Sequence, residues 1–149
     1  ANRGAHDVGA ESIGLNIVLP FGQAPNGWVT PHLSFNFHYF ALRKMHFLLR
    51  ARAVAVFPGG FGTFDEMFEL LTLVQTGKMA MLPILLYGRD FWHRVIDFDA
   101  LVEEGVVAPQ DLDLFRYCDT AEEGWAFVQE WYAANGERQF RKGRGETQG

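Results

Sequence analysis

Residues 53–66, Ala53-Val54-Ala55-Val56-Phe57-Pro58-Gly59-Gly60-Phe61-Gly62-Thr63-Phe64-Asp65-Glu66, decide the fold. A short β-branched run stops abruptly at Pro58-Gly59-Gly60, and a helical pattern begins within a few residues. An apolar strand with no polar alternation is a strand buried on both faces. Strand, glycine turn and helix in that order form half of a βαβ unit.

The same alternation continues outward. Upstream, Ile13 to Leu19 reads as a strand stopped by Pro20, and Phe37 to Arg52 reads mainly as helix, with Phe40, Leu42, Phe47 and Leu48 at helical spacing. Downstream, Thr63 to Thr76 is a helix closed by Gly77 in the left-handed conformation. Pro83 to Tyr87 is the next strand, Phe91 to Glu104 a helix, Phe115 to Cys118 a short strand, and Thr120 to Asn135 the final helix. Doubly buried strands alternating with helices predict an α/β fold, a doubly wound parallel sheet with helices on both faces. Ligands of such folds bind at the C-terminal ends of the strands. Residues 1–135 are expected to form the C-terminal part of one nucleotide-binding domain. The charged, glycine-rich residues 136–149 are expected to be a flexible tail. Asn2 to Asp7 resembles the end of a helix with no strand before it, as if the chain began inside a domain.

Bulk properties narrow the function. The chain has 149 residues, a formal net charge of −5 and one cysteine, Cys118. That balance argues against a nucleic-acid surface, and a single cysteine allows no internal disulfide, so a reducing compartment is expected. No apolar run reaches the roughly 18 residues of a membrane span. The start lacks the apolar core of a signal peptide. A cytoplasmic location is the expectation, with neither nucleic acid nor membrane as partner.

The glycine loop lies between a buried strand and a helix start. Glycines there permit positive φ and close approach of a ligand to the backbone, and the unpaired N–H groups of the first helical turn suit a phosphate. No Gly-Lys-Ser/Thr follows, so it is not a Walker A loop, and Gly60-Phe61-Gly62 lacks the third glycine of the dinucleotide fingerprint. On local grounds a structural turn competes with a phosphate site. Glu66 also has two readings. Thr63-x-x-Glu66 fits a capping box, in which Thr63 caps the helix and Glu66 reaches back. Yet Asp65, Glu66 and Glu69 would repel an arriving phosphate, so a cation is needed, and Arg43-Lys44 offers one. Arg50 and Arg52 read as solvated charges near the helix end.

Taken together, Arg43-Lys44, the strand Val54 to Phe57 and Pro58-Gly59-Gly60-Phe61-Gly62-Thr63-x-x-Glu66 resemble the signature of the cytokinin-activating (LONELY GUY) phosphoribohydrolases, a family often labelled "possible lysine decarboxylase". Ala1-Asn2-Arg3-Gly4-Ala5 is similar to the end of that family's first glycine-rich segment, and the likeness runs through Gln75-Thr76-Gly77-Lys78 and Pro83-Ile84 to the last helix. The long spacer from Pro20 to Leu42 resembles the larger bacterial branch. The family's first strands and first glycine loop are absent from this sequence.

The resemblance implies hydrolysis of the N-glycosidic bond of a nucleoside 5′-monophosphate, cytokinin riboside or purine type, to free base and ribose 5-phosphate. It implies Glu66 and Arg43 as the catalytic residues, with Lys44, Gly59, Gly60, Gly62 and Thr63 on the phosphate or substrate. It implies a homodimer and no cofactor or metal. Pyridoxal phosphate chemistry is not expected, because Lys44, Lys78 and Lys142 stand in no cofactor motif. His32, His38 and His46 lack zinc spacing, and Cys118 reads as a small buried hydrophobe. Two alternatives stay open: a non-catalytic carrier of a phosphorylated ligand such as a pterin-type cofactor, and a structural piece whose sheet edge must be covered.

Overall fold

The computed structural model describes residues 1–19 and 26–142, without the side chains of 137–142. It is a mixed α/β structure of parallel strands flanked by helices, consistent with a Rossmann-like fold. The chain divides into two compact units, Ala1–Ala51 and Arg52–Gly149.

The first unit contains helix α1 (Asn2–Asp7), strands β1 (Gly14–Ile17) and β2 (Ser34–Phe37), and helix α2 (Phe40–Leu48). The two strands pair in parallel, Gly14 opposite Ser34 and Ile17 opposite Phe37. Asn16 Nδ2 donates across the pair to Ser34 Oγ at 3.1 Å. The expected strand over Ile13 to Leu19 is therefore shorter, and its stop at Pro20 lies outside the described residues. The expected helix over Phe37 to Arg52 begins later, because Phe37 belongs to β2. Ser34-Phe35-Asn36-Phe37 alternates polar and aromatic residues with the period of a strand, and the pairing with β1 fixes it as one. Only Leu48 of α2 is buried.

In the second unit strands β3 (Val54–Val56), β4 (Ile84–Tyr87) and β5 (Arg116–Cys118) form a parallel sheet with β4 in the centre. Ile84, Leu85 and Leu86 are all buried, as a strand covered on both faces must be. Helix α3 (Phe61–Gln75) turns Met67, Leu70 and Val74 into the core at helical spacing. Gly77 follows it with φ +69°, the left-handed residue expected there. Residues 91–104 are not one helix. Helix α4 (Arg89–Val95) ends where Ile96 goes extended, and Asp97 Oδ1 accepts Ala100 N–H at 3.0 Å to open helix α5 (Phe98–Glu103). Trp92 of α4 is fully buried, with Nε1 donating to Tyr87 O at 2.8 Å, so the largest core side chain leaves no polar atom unpaired. Helix α6 (Ala121–Lys142) runs past Asn135, into the segment expected to be a tail, and 143–149 lie outside the described residues.

Candidate functional site

The glycine loop leaves the C-terminal end of β3, as a ligand loop of a parallel sheet should. Its path is fixed by the neighbouring turn after β4. Gly88 there has φ +83°, and a Cβ on it would stand 3.2 Å from Pro58 Cγ. Only glycine meets both demands, so Pro58 can lie against that turn.

The loop's own glycines are used differently from the expectation. None of them has positive φ; among the described residues that conformation belongs to Gly9, Gly77, Gly88 and Gly105. Gly59 is needed for close packing, since a Cβ on it would overlap the Thr63 hydroxyl and stand 2.9 Å from Thr63 Cβ. Gly60 and Gly62 have open space where a Cβ would go.

Helix α3 starts at Phe61, two residues earlier than expected, with extended Gly60 at its cap position and no side-chain capping bond. Gly60 O accepts Thr63 N–H at 2.9 Å and Phe64 N–H at 3.2 Å. The expected Thr63–Glu66 capping box is therefore not formed. Thr63 is already inside the first turn with its side chain against Gly59, and Glu66 sits further along the helix. The N–H groups of Phe61 and Gly62, the first two of the helix, have no acceptor within it. They point where the partial positive charge of the helix end is strongest. Glu66 and Glu69 are half-buried and Asp65 is exposed.

Arg43 and Lys44 belong to the first unit, on α2, and both are half-buried. Arg43 Nε donates to Leu15 O of β1 at 3.0 Å, which ties its guanidinium to the strand. The remaining predicted residues, Gly59, Gly60, Gly62, Thr63 and Glu66, belong to the second unit. Of these, the fold packs Gly59 and Thr63 directly together.

Sequence reasoning missed two features of the second unit. An open cavity of about 530 Å³ is lined by Arg89, His93, Asp99, Arg116 and Tyr117 among others, and by no residue of the glycine loop. Its residues are scattered along the chain, so no motif could announce it. Phe57 is also missed: the apolar run reads as buried, yet Phe57 is 57% exposed and stacks on Tyr87. Cys118 is buried, and burial above all pushes its thiol up, with the Glu123 carboxylate adding to the effect and Arg116 and Arg89 opposing it. A neutral buried thiol is a poor nucleophile. Among the described residues no three His, Cys, Asp or Glu side chains converge as a metal site, and no helix is long and apolar enough to cross a membrane.

Comparison with known proteins bears on the same loop. The family model described as "Possible lysine decarboxylase" matches residues 1–127. Cytokinin riboside 5'-monophosphate phosphoribohydrolase LOG3 of Arabidopsis thaliana is 30% identical over 82 residues, covering 54% of this chain and 38% of that protein. The LOG1 enzyme of the same name and plant is 32% identical over 68 residues, covering 45% of this chain and 32% of its own length. The chain thus spans less than two fifths of the length of either curated relative.

Proposed function

The chain belongs to the family described as possible lysine decarboxylase, and from that premise we propose that the full-length protein hydrolyses the N-glycosidic bond of a nucleoside 5′-monophosphate. The observation that carries the reading is the start of α3, which follows strand β3 of the parallel sheet through the glycine loop and has extended Gly60 at its cap position. The N–H groups of Phe61 and Gly62 in its first turn, which have no acceptor within the helix, suit the 5′-phosphate, with the Thr63 hydroxyl and the backbone of Gly59, Gly60 and Gly62 beside them.

Breaking the glycosidic bond develops positive charge on the sugar. A carboxylate near the anomeric carbon stabilises that charge and takes a proton from the attacking water. We assign this role to Glu66. The water oxygen bonds to C1′ as the carbon–nitrogen bond breaks; the proton that Glu66 takes from the water passes, directly or through solvent, to the ring nitrogen of the departing base, which leaves ribose 5-phosphate and an ionised Glu66. The resemblance further assigns Arg43 a catalytic role and Lys44 a place on the substrate. Both relatives named above carry phosphoribohydrolase names, and cytokinin ribosides or plain purine ribosides are the substrate class we favour. The protein works as a homodimer in the cytoplasm on this reading. The decarboxylase of the family's description needs a desolvated lysine for a Schiff base, and Lys78 is exposed.

The test is a panel of nucleoside 5′-monophosphates and their matching nucleosides, with released base measured by chromatography. Base is expected from a purine or cytokinin monophosphate and not from the nucleoside, which gives the loop amides nothing to bind. Equal turnover of AMP and adenosine overturns the phosphate role of the loop. Tight binding without release of base from any substrate favours a carrier.

A further inference from the structure

Two aromatic side chains bracket the glycine loop, and neither is buried. Phe57 precedes it and is 57% exposed; Phe61, the first residue of α3, is 95% exposed. Strand alternation turns Phe57 to the same face as exposed Ala55 and away from buried Val54 and Val56. Its ring lies flat on Tyr87, with centroids 4.8 Å apart and planes 9° from parallel. Tyr87 has no room to withdraw. Its hydroxyl fills the space a side chain on Gly124 of α6 would take, and a Cβ there would stand 2.8 Å from Tyr87 Cζ. Gly124, Tyr87 and Phe57 therefore hold a planar ring in place beside the loop, with much of its surface still open to water.

A phosphate gains nothing from such a surface, since a dianion prefers amides and solvent. A ligand that joins a phosphate to a flat unsaturated ring gains from both. Resting on the function proposed above, we infer that Phe57 stacks on the base of the bound nucleotide and contributes to its affinity. Phe61 is not assigned this role, because a ring exposed to 95% has little around it to hold its orientation.

The test compares two ligands on the full-length protein. AMP carries the ring, and ribose 5-phosphate presents the same sugar and phosphate without it. Stacking on an aromatic side chain is worth enough that Phe57→Leu should weaken AMP by about tenfold, while ribose 5-phosphate binds as before. Phe57→Trp should keep AMP affinity, and its added fluorescence should be quenched by AMP and not by ribose 5-phosphate. Equal loss of both ligands in Phe57→Leu overturns the inference and returns Phe57 to a structural role through Tyr87. Unchanged affinity for both overturns it as well. A wild-type protein that binds neither ligand overturns the functional reading itself, and the stacking role with it.

Discussion

The Thr63 hydroxyl occupies the space that a side chain on Gly59 would need. This contact closes the glycine loop onto the first turn of α3 without any left-handed residue inside the loop. The glycine is required because of its neighbour and not because of its backbone angles.

Gly59 and Gly62 should then behave differently. Gly59→Ala must displace Thr63 and is expected to cost about 1–3 kcal/mol of stability. Gly62 lies inside the helix with open space around it, so Gly62→Ala should leave stability unchanged or raise it by up to about 1 kcal/mol. The same methyl would stand in the way of a phosphate approaching the amides, so nucleotide affinity should fall while the fold holds. Thermal melts and nucleotide titrations on both variants check this. Wild-type melting in Gly59→Ala would remove the close-packing argument.

A second prediction concerns the start of α6, where a capping box does form. Thr120 Oγ1 accepts Glu123 N–H at 3.2 Å, and Glu123 Oε2 accepts Asp119 N–H at 2.7 Å and Thr120 N–H at 3.2 Å. Thr120→Ala should cost about 1 kcal/mol. The two backbone donors, that of Asp119 first, hold the Glu123 carboxyl below its ordinary range. A carboxyl whose folded value is depressed adds stability above its unfolded pKa and loses it as pH falls through the folded value. Glu123→Gln should therefore show a shallower loss of stability below about pH 4 than wild type. Denaturant midpoints at neutral and acid pH measure it, and parallel acid profiles for the two proteins would refute the assignment.

Thr-x-x-Glu occurs at Thr63–Glu66 and at Thr120–Glu123, and the pattern alone gives the same expectation for both. The structure separates them by where each helix begins. At the first site Gly60 takes the extended cap position, so Thr63 is already inside the first turn. At the second, Asp119 and Thr120 lie just ahead of α6 and their N–H groups need an acceptor. The parallel sheet was legible because Ile84-Leu85-Leu86 is apolar without alternation. The break between α4 and α5 was legible only weakly, since one Asp97 cap had to outweigh a continuous helical pattern. Strand β2 was missed because four residues of alternation gain meaning only from pairing with β1. The glycine loop was visible as a motif. Which glycine is sterically required was not visible, because that depends on the direction of the Thr63 side chain.

The last prediction concerns Glu66. Glu66 lies in the second turn of α3, beyond the cap position at Gly60, and the proposed reaction gives it a charge to neutralise. Glu66→Gln keeps length and helix propensity on a half-buried helical position, so stability should change little. Turnover should fall sharply, because a neutral amide neither balances a developing sugar cation nor accepts a proton from water. Loss of such an interaction raises the barrier by on the order of 3 kcal/mol, about a hundredfold in rate. Affinity for the nucleotide should hold or improve, since removing a carboxylate relieves repulsion with the phosphate. Turnover, nucleotide affinity and thermal melts, measured side by side on wild type and Glu66→Gln, separate the effects. A mutant that turns over at the wild-type rate takes Glu66 out of the chemistry. A mutant that loses stability and turnover together shows that the side chain serves the fold of α3 before it serves the reaction.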